Sequence, residues 1–547
     1  MLTDDLRALD CGDIDGSDAT RDRYSHDASI FELRPQVVVY PRTGADVERL
    51  VQYAAAHEGV SLVARSAGTC MSGGSIGQSI VMDVTRHMNH VHDIVVQHDG
   101  VHQGYAVVEP GVFYRDFEPK TLEKGLQYPV YPASRELCAL GGMVANNSAG
   151  ERSLVYGQAV DFVRSVRAVM ADGKEHEFGP LTKAELEEKM AQTSWEGELY
   201  RRLWALVRDN GEVIHSGTPR VSKNSSGYLL WRLWDGHTFN IAKLLCGSQG
   251  TLGVITQATL GLVKPKQHRR MVVVLLRDFG LLAQVVNVLL RHKPEALESF
   301  DDKTLSFTLR FLPDFVRIMG ASNLISLGLR FLPEAWMAFT GGLPKMILMA
   351  EFASDNEEEV LATAQAAYKA VKDLGVNARV ITSAEETHKY WTIRRSSFNV
   401  IRSHSTGKRT TPFIDDIIVN PADMPTFLPK LYDILRPYKL TLTIAGHAGN
   451  GNFHIIPLMD LRDPKIRTVI PEISEQVYSL VLQYRGSITA EHNDGLIRGA
   501  YVKRQFGEPL YDLFRQVKHL CDPHGIFNPG KKIDVDWKWA LEHIRKD

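Results

Sequence analysis

Cysteine is scarce. The chain of 547 residues has five, at positions 11, 70, 138, 246 and 521, an odd number with no CxxC spacing. That excludes a disulfide framework, a structural zinc site of the cysteine type and a chain-borne iron–sulfur cluster, and it fits a reducing cytoplasm. Net charge is nearly absent too, at -2, so no electrostatic case exists for nucleic acid. The local basic group Lys264, Lys266, Arg269, Arg270 and the Lys-rich C-terminus read as solvated faces. No window of 18 apolar residues free of charge occurs, so no membrane span is expected. The N-terminus, Met1-Leu-Thr-Asp-Asp5, carries acid where a secretory signal needs base and an apolar run. Composition is otherwise ordinary globular, and the length predicts two or more domains, each with its own core.

The most informative stretch is Ala445-Gly-His-Ala-Gly-Asn-Gly-Asn-Phe-His454. Alternating Leu440–Ile444 precedes it and Ile455–Leu458 follows, so strand, Gly/Asn turn and strand predict a hairpin. On one straight strand residues seven apart face opposite sides, but across a hairpin His447 and His454 can lie side by side. A second cluster, Thr489-Ala-Glu-His-Asn-Asp494, supplies a carboxylate. Two imidazoles and one carboxylate with an open position suit a catalytic divalent metal, zinc by first choice, bound by His447, His454 and Glu491. His492 is left over as the candidate base.

Upstream, three runs of small residues interrupt strand patterns. The strand Ser61–Arg65 empties into Ser66-Ala-Gly-Thr-Cys-Met-Ser-Gly-Gly-Ser75. Leu140-Gly-Gly-Met-Val-Ala-Asn-Asn-Ser-Ala-Gly150 and Leu245-Cys-Gly-Ser-Gln-Gly-Thr-Leu-Gly-Val-Ile255 follow. Such runs let backbone N–H groups approach an anion closely, although a plain glycine-rich turn reads the same in isolation. None is GxGxxG opening a helix, so a Rossmann site fits poorly. Thr43 is the expected N-cap of a helix to about His57, Phe113–Lys124 and Glu357–Leu374 are expected helices, and Val163–Ala171 an expected strand.

Arg65-Ser-Ala-Gly-Thr69, Gly141-Gly142 with Asn147–Gly150, and Gly247–Gly253 resemble, in order and spacing, the FAD-binding domain of the vanillyl-alcohol oxidase / p-cresol methylhydroxylase superfamily. His447–His454, Glu491-His492 and Asn528-Pro-Gly-Lys531 resemble its D-2-hydroxyacid branch, which holds D-lactate dehydrogenase, D-2-hydroxyglutarate dehydrogenase and the flavin-bearing chain of glycolate oxidase. The resemblance covers roughly residues 35–300 and 345–535. It implies an α+β fold: a two-subdomain FAD-binding domain of the p-cresol methylhydroxylase type, plus a cap domain on an antiparallel sheet. The expected division is an arm (1–30), an FAD domain (31–266), a cap (267–500) with an insert (301–345), and a C-terminal segment (501–547) returning to the FAD domain.

For FAD, the resemblance implies that Arg65, Ser66, Ala67, Gly68, Thr69 and Ser72 hold the pyrophosphate. Pro132, Ala133, Ser134, Gly141, Gly142, Asn146, Ser148, Ala149, Gly150 and Ile255 would line the rest, with Asn528 near the flavin. Gln249 stands where the family often has Glu. Some relatives tether FAD through a His in the first loop. Thr69 occupies that place here, so FAD is expected to be non-covalent, with Cys138 the nearest alternative tether. Arg394 matches the family's carboxylate anchor, a role that suits a forked guanidinium. Ile414 replaces the Lys that grips a second carboxylate in D-2-hydroxyglutarate dehydrogenases, which favours a lactate- or glycolate-like acid.

The implied activity is oxidation of a D-2-hydroxy acid to the 2-oxo acid, with electrons passing from FAD to a quinone, cytochrome, electron-transfer flavoprotein or iron–sulfur partner. Alternatives are an FAD oxidase or alkylglycerone-phosphate-synthase-like enzyme of the same fold, or a flavoprotein component of a larger complex. The insert repeats Leu309-Arg-Phe-Leu-Pro313 as Leu329-Arg-Phe-Leu-Pro333. It reads as extra cap helices, or as an amphipathic patch over 305–343 making peripheral contact with the inner membrane face.

Overall fold

A computed structural model describes residues 2–311, 343–403 and 407–546. The first sheet contains β1 (Asp13–Asp15), β2 (Val37–Tyr40), β3 (Leu62–Arg65) and β4 (Ile80–Asp83) in the order β1-β2-β4-β3. β2 and β3 run parallel to β4, and every residue of β2 and β4 is buried. That is why these strands read as unbroken valine and isoleucine rather than as alternation. The helix Gly44–Ala56 starts at Thr43, whose side chain and that of Asp46 form a reciprocal capping box, and it ends at His57 as the sequence predicts.

The second sheet contains β5 (Val91–Val95), β6 (Gly104–Val108), β7 (Val163–Val169) and β8 (Glu175–Phe178). It is completed by β11 (Val254–Leu262), in the order β5-β6-β11-β7-β8, all antiparallel. A small pair joins β9 (Leu181–Thr182) to β10 (Thr238–Phe239). The expected helix at 113–124 spans Tyr114–Leu122.

The cap is an eight-stranded sheet. Its path is β15-β12-β14-β13-β18-β19-β16, and β17 pairs with β19. The strands are β12 (His268–Leu276), β13 (Ala296–Asp301), β14 (Met346–Ser354), β15 (Asn377–Ile381), β16 (Arg409–Thr410), β17 (Ile417–Ile418), β18 (Thr441–His447) and β19 (Asn452–Met459). The period of two sorts β12 between two cores. Val272, Val274 and Leu276 pack with the helices Leu282–Arg291, Glu357–Lys372, Met424–Leu435 and Ile466–Gln483. Met271, Val273 and Leu275 pack with Leu305, Tyr390, Trp391 and Ile393, from the helices Asp302–Arg310 and Ala384–Ser403. Ala384–Ser403 thereby lies on the sheet face that continues into the site.

The N-terminal stretch read as an arm is woven in, because β1 pairs antiparallel with β2. The C-terminal segment bonds to β3: the Leu62 N–H donates to Ile526 O at 2.8 Å, and the Asn528 N–H donates to Leu62 O at 2.8 Å. The second copy of the insert's repeat, and most of the patch over 305–343, lie outside the described residues. Among the described residues no helix is long and apolar enough to cross a membrane.

Candidate active site

A cavity of about 1260 Å³ runs between the small-residue loops and the cap sheet. It exceeds the ~300–1,000 Å³ typical of a drug-sized ligand pocket, as a dinucleotide plus a substrate requires. One side is lined by Arg65, Ser66, Ala67, Gly68, Thr69, Pro132, Ala133, Ser134, Gly141, Gly142, Asn146, Ser148, Ala149 and Ile255. Glycine is demanded at two of these positions. A Cβ on Gly141 would lie 2.4 Å from Pro110, and one on Gly68, with φ +67°, would lie 2.3 Å from the Arg65 guanidinium.

Ser72, Gly150 and Asn528 do not line the cavity. Gly150 packs against the backbone of Tyr131, where a Cβ would meet Tyr131 O at 2.0 Å. Asn528 is buried with φ +43° and donates to Gly74 O (2.8 Å) and Gln249 O (2.7 Å). Gln249 donates to Ser72 Oγ (3.1 Å) and Asn146 Oδ1 (3.2 Å) and accepts from the Gly495 N–H (2.8 Å). One amide thus ties two of the loops to the segment that carries Glu491. A carboxylate there could not donate to Ser72 and Asn146. Cys138 also lines the cavity, and burial pushes its thiol up to about 12.

Opposite the loops, β18 and β19 form the predicted hairpin, joined through a 3-10 turn at Ala448–Asn450, with Gly451 at φ +71°. The register pairs Ala445 with His454, and the imidazoles of His447 and His454 stand edge to face at 5.1 Å. His447 Nε2 is 3.1 Å, His454 Nε2 3.4 Å and His492 Nε2 3.8 Å from Glu491 Oε1. The other ring nitrogens fix the tautomers. His447 Nδ1 faces Glu298 Oε1 at 2.6 Å, and His454 Nδ1 faces the Asp415 carbonyl at 3.0 Å. Each Nδ1 therefore carries a proton, and both Nε2 atoms face one carboxylate oxygen.

The tightest cluster of ligand-type atoms among the described residues includes Asp416 beside His454, Glu491 and His492, and omits His447. Asp416 is already saturated. It accepts from Thr489 Oγ1 (2.6 Å), the Glu491 N–H (2.7 Å), the His492 N–H (2.7 Å) and Asn452 Nδ2 (3.0 Å). Its part is to hold the Glu491-His492 backbone, whereas His447 Nε2 faces the Glu491 carboxylate directly.

Burial and charge shape these groups against each other. Burial would raise Glu491, but Lys223 and His447 outweigh it and hold the carboxyl well below its usual range. Burial would lower His492, but Asp416 and Asp415 push it up to about 9, with Nδ1 2.6 Å from Asp415 Oδ2. Asp415, despite burial, is held down to about 2 by Arg498 and His492. The Arg498–Asp415 pair is fully buried. Arg498→Met strands that carboxylate, and thermal denaturation should show a loss of about 3–5 kcal/mol.

Three supporting residues are not evident from the sequence. Lys223 is fully buried and donates to Glu491 Oε2 and Asn452 Oδ1, both at 2.9 Å. Glu298 accepts from His447 and, at 3.0 Å, from Arg394 Nε. Arg498 is the third. The only signal for the first two is a glutamate inside a largely apolar strand (Glu298) and a lysine before a small-residue run (Lys223 before Asn-Ser-Ser-Gly).

Arg394 lines the cavity, and among the described residues its terminal nitrogens carry no protein partner. Arg395 is consumed by a two-pronged pair with Glu151. Ile414 does not reach the cavity. It is fully buried in the cap core with Phe413 and Ile417, so its replacement of Lys is silent about the far end of a substrate.

Residues 265–532 match the family of FAD linked oxidases, C-terminal domain, and residues 35–179 match the FAD binding domain family. The chain thus carries both an FAD-binding domain and the C-terminal domain of FAD-linked oxidases. A D-2-hydroxyglutarate dehydrogenase of Pseudomonas putida is 29% identical over 529 residues, covering 95% of this chain and 50% of that protein. A D-lactate dehydrogenase of Archaeoglobus fulgidus is 25% identical over 500 residues, covering 91% of each. The chain spans about half the length of the first curated relatives it matches. The solved structure of p-cresol methylhydroxylase with substrate bound aligns with a TM-score of 0.64 at 16% identity, covering 98% of this chain and 96% of that one. The fold expected from the three loops is therefore the observed one, and the chain carries its FAD-binding domain in its N-terminal half.

Proposed function

We propose that the chain is an FAD-dependent dehydrogenase converting a D-2-hydroxy acid to its 2-oxo acid, with a divalent metal at His447, His454 and Glu491. The observation that carries this is the convergence of three imidazole Nε2 atoms on Glu491 Oε1, inside the cavity that the FAD loops line. The donor set fits a divalent cation that displaces the Nε2 protons: two imidazoles oriented through Nδ1 and an ionised carboxylate, zinc by first choice. When bound, FAD accepts the hydride and the metal lowers the pKa of the substrate hydroxyl.

The protein's own groups do the rest. Arg394, held through Nε by Glu298, presents its two terminal nitrogens to the substrate carboxylate. His492, oriented through Nδ1 by Asp415, receives the hydroxyl proton at Nε2 once that nitrogen has given up its own proton, so turnover should rise with pH toward about 9. The small-residue loops cradle the FAD without a covalent tether, since Thr69 offers no imidazole. Acid precipitation should then release all of the flavin into the supernatant.

Anaerobic mixing of the holoenzyme with paired D- and L-2-hydroxy acids tests the reading. The flavin absorbance should bleach with a D-acid and stay unchanged with its L-isomer. Bleaching by none of the acids overturns the proposal. Full activity after EDTA treatment, with no metal detected by elemental analysis, would favour the ether-bond-forming chemistry of the same fold. Arg394→Met should lower kcat/KM on the order of 100-fold with flavin content unchanged, because a two-pronged charged hydrogen bond is lost.

A further inference from the structure

The cavity face of the hairpin is laid out in rows. β18 and β19 pair His447 with Asn452, Ala445 with His454, Thr443 with Ile456 and Thr441 with Leu458. His447, Ala445 and Thr443 on one strand, and His454 and Ile456 on the other, line the cavity. Thr410 also lines it and pairs with Leu458, one row farther out. At ~3.4 Å per strand residue, Thr443–Ile456 lies about 7 Å beyond the Ala445–His454 row, and Thr410 about 14 Å beyond it.

Several cations stand around this path among the described residues. Arg394 and His492 stand at the reacting end. Arg395 is paired with Glu151, and the His388 imidazole meets Thr392 Oγ1 at 3.4 Å. Lys408, Arg409 and Arg462 line the cavity beside Thr410, where Arg462 grips Asp460. A second carboxylate three bonds from C2 would stop over Ala445 and Ile456, one strand row short of Thr410 and the backbone of Lys408 and Arg409. There it would lose water, and none of Thr443, Ala445 and Ile456 carries a charge to receive it.

We infer that this row accepts an aliphatic side chain, so that the preferred substrate is a D-2-hydroxy acid of about six carbons rather than lactate or a five-carbon diacid. The inference rests on the dehydrogenase reading above. It also assigns Ile456 as a residue that determines specificity.

The test is flavin reduction by D-lactate, D-2-hydroxybutyrate, D-2-hydroxyvalerate, D-2-hydroxyhexanoate and D-2-hydroxyglutarate, with wild type and Ile456→Lys. In wild type kcat/KM should rise about fourfold per methylene from three to six carbons. D-2-hydroxyglutarate should fall at least tenfold below D-2-hydroxyvalerate, which has the same chain length. Ile456→Lys, checked by FAD content, should raise the ratio of hydroxyglutarate to hydroxyvalerate at least tenfold. A flat series, lactate as the best substrate, hydroxyglutarate equal to or above hydroxyvalerate in wild type, or an unchanged ratio in the variant overturns the specificity while leaving the dehydrogenase standing. Bleaching by no acid in the panel overturns the dehydrogenase reading itself.

Discussion

His492→Ala should retain FAD and metal yet lose turnover by about 10²–10⁴, the range a positioned general base contributes. The imidazole is well placed for that part. It stacks at 5.0 Å on His454, holds Asp415 Oδ2 at 2.6 Å through Nδ1, and turns Nε2 toward Glu491 and the cavity. Its backbone N–H is bound to Asp416, independently of the ring, so truncation leaves the loop anchored. The loss should therefore fall on kcat, with the flavin spectrum and metal content unchanged. Equal turnover by the variant would sink the base assignment, and loss of metal with turnover would recast His492 as a ligand.

The hairpin was legible because its information is local. Alternating residues, a Gly-Asn-Gly turn and two flanking histidines lie within about twenty residues, and a two-residue period fixes which side chains share a face. The three FAD loops were legible for a related reason, since close backbone approach demands small residues wherever it occurs. The residues that make the histidines useful are remote. Glu298 lies 149 positions from His447, and Lys223 lies 268 positions from Glu491. Nothing in a strand such as Ala296–Asp301 says that its one glutamate will face an imidazole from a hairpin so far along the chain. Ile414 shows the limit of a motif position: the residue lies in the cap core with Phe413 and Ile417, which the motif alone does not reveal. The register of β18 on β19 also had to be seen before Ile456 and Thr443 could be placed one row beyond the metal candidates.

Lys223→Met should make the protein's stability depend on metal. Lys223 is fully buried, and the Glu491 carboxylate it holds at 2.9 Å is exposed only toward the cavity. With the lysine in place, Oε2 has a permanent cation whether or not a metal occupies Oε1. Replacing it with an uncharged side chain of similar length leaves an ionised carboxylate facing only imidazoles, a change that costs about 3–5 kcal/mol when one partner of a buried pair is removed. Asn452 Oδ1 loses its donor at the same time, which adds about 1–3 kcal/mol. A divalent cation at Oε1 can restore the lost charge, because ligand binding to the native state raises stability by RT ln(1 + [L]/Kd). Thermal denaturation of EDTA-treated wild type and variant, each with and without added zinc, separates the terms. The variant should melt well below wild type without metal and recover most of the gap with it, while wild type gains less. Equal gains in both proteins would mean that Lys223 does not balance the charge of Glu491. No gain in either would remove the metal from His447, His454 and Glu491.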